Sequence, residues 1–183
     1  MTALMAASVP RLRGAYTEQA ENSRRMDADV GAIAIRRGTP ADRSFVADLG
    51  KRVAETSISA IRPVDVGSVE AAFDRLTHFV YGRRHEVLIA HEGQRRLGFL
   101  LLLLDLPDEV TNGDQAFIAY MAVEPGERGR GAGSALVAGA ADLARAFGLP
   151  YLSLMVTEDN AAAQRLYARA GLVTERRMLT KPL

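Results

Sequence analysis

The chain has 183 residues, 48% of them apolar, and a formal net charge of +1; this suffices for one core of ordinary size and exerts no global pull on nucleic acid or an anionic membrane. It contains no cysteine, which excludes disulfides, thiolate metal sites and covalent chemistry on a cysteine sulfur, and suits a reducing cytoplasm. The longest apolar run, Phe99 to Leu104, is far too short for a membrane-spanning helix.

Residues 1–31 mix Ala, Ser, Arg and Glu without a sustained apolar period and lack the apolar centre of a signal peptide. A flexible N-terminal arm is expected there, with one domain over residues 32–183. Ala32 to Arg36 is a short strand, followed by Thr39 and Pro40 as helix cap and first helical residue, with Asp42 three residues after the cap. Phe45, Leu49 and Val53 stripe a first helix and leave Asp48, Lys51 and Arg52 to solvent. A polar link, Ser57 to Gly67, precedes a second helix capped by Ser68 and striped by Val69, Phe73, Leu76 and Val80.

Glu86 to His91 and Leu97 to Leu104 form an antiparallel hairpin around the turn-rich Glu92 to Arg95. Leu100 to Leu104 do not alternate with polar residues, so the second strand is central and covered on both faces. After the loop Asp105 to Gln115 come a strand, Phe117 to Val123, a glycine-rich segment and a helix carrying Leu136, Ala140, Leu143 and Phe147 up to Gly148. Strand Tyr151 to Val156 completes a parallel βαβ unit. A short helix from Asn160 to Arg169 stops at Gly171, and Leu172 to Thr180 is a last strand.

The stretch Ala116 to Leu136 carries the chemistry. A strand that ends in a glycine-rich loop opening a helix aims backbone N–H groups at one point, and the helix start adds roughly half a positive charge. Arg128 and Arg130 stand beside Gly129, Gly131 and Gly133, so the stretch is a seat for phosphate. A Walker A loop is excluded, because Ala132 follows Gly131 where a lysine is required. A dinucleotide fingerprint fails at its third glycine, which is Ser134, and the turn Glu124 to Arg128 is too long for it.

Arg128-Gly129-Arg130-Gly131-Ala132-Gly133, preceded by Met121-Ala122-Val123 and Pro125, resembles the acyl-CoA loop of the GCN5-related N-acetyltransferases, (Gln/Arg)-x-x-Gly-x-(Gly/Ala). Asn160, Ala163, Leu166, Tyr167, Gly171 and Leu172 are similar to that family's second motif, with Leu172 where phenylalanine is commonest. The resemblance covers roughly Ile33 to the C-terminus. It implies an α/β fold with a central mixed, mostly antiparallel sheet, a splayed parallel strand pair and helices on both faces. It also implies transfer of an acetyl group from acetyl-CoA, as co-substrate, to a primary amine of a small molecule or peptide, with no metal, nucleic acid or membrane involved.

By that resemblance the amides of Arg128, Gly129, Arg130, Gly131, Ala132, Gly133 and Ser134 hold the pyrophosphate, Met121, Ala122 and Val123 line the pantetheine arm, Asn160 bonds the arm, and Tyr167 protonates the leaving thiolate. Relatives place a glutamate base where this chain has Phe117 or Met155, so no base is assigned. Asp114, Glu109, Glu158, His85 and His91 are nearby alternatives, and the three histidines lack metal-ligand spacing. The missing base leaves a second expectation open, a CoA-binding sensor that has lost catalysis. A cytoplasmic location is expected, and a homodimer stays open.

Overall fold

The computed structural model describes residues 32–62 and 64–183; the expected arm, residues 1–31, lies outside them. Five strands form one sheet in the order β1-β2-β3-β4-β5: β1 Ala34–Arg37, β2 His85–Glu92, β3 Arg95–Leu103, β4 Ala116–Val123 and β5 Leu152–Leu154. Neighbours from β1 to β4 are antiparallel, and β4 and β5 are parallel. The helices are α1 Arg43–Val53, α2 Val66–Tyr81, α3 Ala132–Ala146 and α4 Ala161–Arg169. None among the described residues is long and apolar enough to cross a membrane.

Alternation along β3 explains the layering. Leu100, Leu102 and Leu104 face the helix that follows the glycine segment, where Leu136, Ala140 and Ala144 of α3 cover them. Phe99, Leu101 and Leu103 face the other way, onto Val46, Leu49 and Val53 of α1 and Phe73 and Val80 of α2. The leucine run is therefore a central strand buried on both faces, and each such side chain stabilises the fold by roughly 2 kcal/mol before entropy is counted.

The α1 stripe is wider than the expected one. Val46 and Gly50 are buried as well, and Phe45 is only partly so. A Cβ on Gly50 would stand 1.9 Å from Cζ of Phe73, so the missing side chain is what lets α1 and α2 meet. Thr39 donates to Asp42 through both its N–H, at 2.8 Å, and its hydroxyl, at 3.0 Å. Asp42 is buried, and Arg36 of β1 clamps it at 2.7 and 2.8 Å, which holds its carboxyl well below the usual carboxylate range.

Three expectations are corrected. The cap of α2 is Asp65, whose side chain accepts from the N–H of Ser68 at 2.9 Å, so Ser68 lies inside the first turn. The strand expected over Tyr151 to Val156 is only Leu152–Leu154, because β4 pairs with it only through Ala116, Phe117 and Ile118; Met155 beyond is 76% exposed. The last strand, Leu172 to Thr180, does not form. Glu175, Arg176 and Arg177 interrupt its apolar pattern, and Arg176 instead pairs with Asp108 and Glu109 in the β3–β4 loop.

Candidate functional site

β4 carries the site because of one extra residue. Leu101 of β3 stands opposite Tyr120 and Leu102 opposite Ile118, so Ala119 has no partner in the ladder. The faces confirm the slip: Phe117, Ala119, Tyr120 and Ala122 point to the α1/α2 side, whereas Ala116, Ile118, Met121 and Val123 point to α3. Two consecutive residues, Ala119 and Tyr120, thus share a face. Such a bulge bends its strand and increases the local twist. The last paired position between β4 and β5 is Ile118 with Leu154, immediately before the bulge. Beyond Ile118, no strand pairs with the β5-side edge of β4 among the described residues.

Beyond Val123 the chain makes a 3-10 turn, Pro125–Glu127, and then the glycine segment. Gly129 and Gly131 adopt φ of +82° and +101°, a left-handed backbone that side chains strain. These turns bring the chain into α3, whose N-terminal N–H groups need acceptors from outside the helix. Gly133 has a different function: a Cβ there would lie 2.7 Å from Cδ1 of Leu166. The first motif therefore packs directly on the second, α3 against α4.

Asn160 caps α4, its side-chain oxygen accepting from the N–H of Ala163 at 3.1 Å, and its amide nitrogen makes no hydrogen bond among the described residues. Tyr167, one residue after Leu166, is partly buried, and burial pushes its hydroxyl above the usual tyrosine range. Gly171, at φ +85°, ends the helix, with the N–H of Leu172 donating to the carbonyl of Tyr167 at 3.0 Å. Asp159, in the turn before α4, accepts from the N–H of Ala60 at 3.2 Å. The link between α1 and α2 is thereby tied to the loop after β5, and Arg52 of α1 holds Glu124 at the end of β4 at 2.7 Å.

The two arginines of the glycine segment differ. Arg130 is held by Glu92 and Glu127, and Arg95 bridges the same two carboxylates. Arg95 and then Arg130 hold the Glu92 carboxyl below its usual range. Arg128 is exposed and makes no ion pair or side-chain hydrogen bond among the described residues. Phe117 packs in the α1/α2 cluster and Met155 is exposed, so neither supplies a base. Glu109 and Asp114 precede β4, at the end away from the glycine segment, and Glu109 lies 3.5 Å from Arg176. His85 and His91 sit on β2, two strands from β4 or roughly 10 Å across the sheet. Glu158 follows β5 on the splayed side. No group of three or more His, Asp or Glu that could hold a metal ion occurs among the described residues.

Sequence reading missed Ala119, Asp159 and the Glu92, Arg95 and Glu127 partners of Arg130. An unbroken apolar strand hides a bulge, and charged hairpin residues look like ordinary solvated surface.

Comparison with known proteins agrees with this geometry. A proposed acetyl transferase from Pyrococcus furiosus superposes with a TM-score of 0.71 at 23% identity, over 83% of this chain and 100% of that one. Ribosomal-protein-alanine N-acetyltransferase from Brucella melitensis biovar Abortus 2308 gives 0.61 at 22% identity, over 83% and 99%. At such identities the likeness is one of fold. Mycothiol acetyltransferase from Clavibacter michiganensis subsp. michiganensis (strain NCPPB 382) is 40% identical over 86 residues, 46% of this chain and 26% of that protein, so the match spans about a quarter of the relative's length. The model of the Acetyltransferase (GNAT) family matches residues 59–172, more than half of the chain and both motifs, and the chain belongs to that acetyltransferase family.

Proposed function

We propose that the chain transfers the acetyl group of acetyl-CoA to a primary amine by direct attack of the amine on the thioester. The carrying observation is the β5-side edge of β4 beyond Ile118, along which no strand pairs among the described residues and which leads into the left-handed glycines at the start of α3. An edge of that kind takes an extended amide-bearing ligand as it would another strand, and the helix start suits a pyrophosphate. Met121, Ala122 and Val123 would line the pantetheine arm, the amides from Arg128 to Ser134 would meet the phosphates, and the free amide of Asn160 would bond the arm.

An alkyl amine with a pKa of about 10.4 is nearly all protonated at neutral pH and must lose a proton before it attacks. With Phe117 and Met155 at the expected base positions, that proton leaves through water or through a loop carboxylate, of which Glu158 is on the splayed side. The departing thiolate needs a proton as well. Tyr167, its hydroxyl pushed upward by burial, keeps its proton at neutral pH and is the donor on this reading. Mycothiol acetyltransferase and ribosomal-protein-alanine N-acetyltransferase name two different acceptors, and both kinds belong among the amines offered to this chain.

Incubation with acetyl-CoA and a library of amines, followed by release of free thiol, tests the proposal; release dependent on one amine class is expected. The absence of carboxylates at Phe117 and Met155 favours one second reading, a CoA-binding sensor. Tight binding of acetyl-CoA without thiol release from any amine would select it.

A further inference from the structure

Glu92 ends β2 and Arg95 begins β3, on either side of the Gly93–Gln94 turn. Glu127 closes the turn after β4, and Arg130 stands between Gly129 and Gly131. These four side chains form a closed ring. The two oxygens of Glu92 accept one from Arg95 and the other from Arg130, the latter at 2.9 Å; the two oxygens of Glu127 likewise accept from Arg95 and from Arg130. Each terminal nitrogen of each guanidinium thus gives one of its two N–H groups to the ring. The carboxylates are the inner members, each only 15% exposed, while the arginines are about half exposed to solvent.

Arg130 keeps N–H groups outside the ring, but its charge already faces two largely covered carboxylates, and turning its ring-facing N–H groups onto a phosphate would leave each of these with one partner, which costs more than loss of an exposed pair. Arg128, with no carboxylate paired to it among the described residues, meets an anion without that exchange. In addition, glycine has the largest backbone entropy to lose, and Arg130 lies between two glycines in the left-handed region. A closed ring fixing the residue between them removes that freedom before any ligand arrives, which is preorganisation.

We infer that the Glu92–Arg95–Glu127–Arg130 ring is a brace for the phosphate loop, that Arg130 is a positioning residue while Arg128 supplies the charge, and that Arg95, on another strand, controls coenzyme affinity without touching the coenzyme. The inference rests on the coenzyme reading above for its last clause only. The brace itself is a property of the free protein.

Arg95→Ala is the test, with Glu92→Gln as a second variant and thermal melting to show that both fold. In the free protein, amide exchange over Gly126 to Gly131 should accelerate several-fold in both variants while β3 stays protected. The dissociation constant for acetyl-CoA, titrated calorimetrically, should rise about fivefold for Arg95→Ala, with the salt dependence of binding unchanged. Arg95→Lys should recover part of that loss. Arg128→Ala should weaken binding and also flatten the salt dependence, because it removes a charge that the ligand itself meets. Unaltered loop exchange overturns the brace, and an unaltered dissociation constant in a protein that binds acetyl-CoA overturns the control of affinity. Failure of the unmodified chain to bind acetyl-CoA overturns the coenzyme reading and with it the clause on affinity, while the exchange result still decides the brace.

Discussion

β3 and β5 lie two strands apart in one sheet and are held in opposite ways. β3 has hydrogen-bonded neighbours on both edges and leucines covered on both faces, whereas β5 is three residues long, pairs along one edge and runs out into the exposed Met155. The difference separates scaffold from site. Apolar burial fixes β3 without leaving any backbone group to offer, while the early end of β5 leaves one edge of β4 with unspent hydrogen-bonding capacity.

The contrast predicts a graded series of effects. Leu101→Ala, at a fully buried β3 position, should cost about 3 kcal/mol in urea unfolding; a loss below about 1 kcal/mol would deny β3 its scaffold role. Tyr167→Phe should lower kcat about 100-fold with KM for acetyl-CoA and unfolding midpoint little changed; an unchanged kcat assigns the proton to another group. Gly133→Ala should cost about 1–2 kcal/mol by forcing Leu166 aside. Adding Leu166→Ala should then cost less than the two single losses summed, and strict additivity would mean that the motifs do not touch.

Asp42 sharpens the scaffold side of the comparison through pH. Its folded value lies below its unfolded value of 3.8, chiefly through Arg36, so its contribution is complete above that pH and disappears as pH falls toward the folded value. Asp42→Asn should therefore cost about 1 kcal/mol at neutral pH and flatten the stability curve below pH 3.8, a window defined by the same unfolded value. Met155→Ser, on the β5 side, should change stability by less than about 0.5 kcal/mol; a larger loss would show that this exposed residue has a covering partner.

Much of this was legible in the residues. The leucine run announced a central strand because a strand covered on both faces has no polar alternate. The glycines and the Asn160 to Leu172 pattern located the glycine turn before α3 and the helix packed on it. Elsewhere the one-dimensional signal was ambiguous. Ser68 and Asp65 are both good caps, and only the helix start decides between them. Leu172 to Thr180 has strand-forming ends, but Arg176 finds carboxylates in the β3–β4 loop. The ring around Arg130 joins residues distant in sequence, which no local pattern records.

The unpaired Ala119 has a consequence for how this chain can change. Substitution there by another small residue leaves the faces of β4 as they are. Deletion leaves them too, because Ile118 and Tyr120 would then alternate regularly opposite Leu102 and Leu101, but it removes the bulge and with it the bend of β4. The bend is thus set by chain length rather than by residue type. β4 should tolerate many replacements at Ala119, whereas deletion there should keep the core faces and straighten the strand.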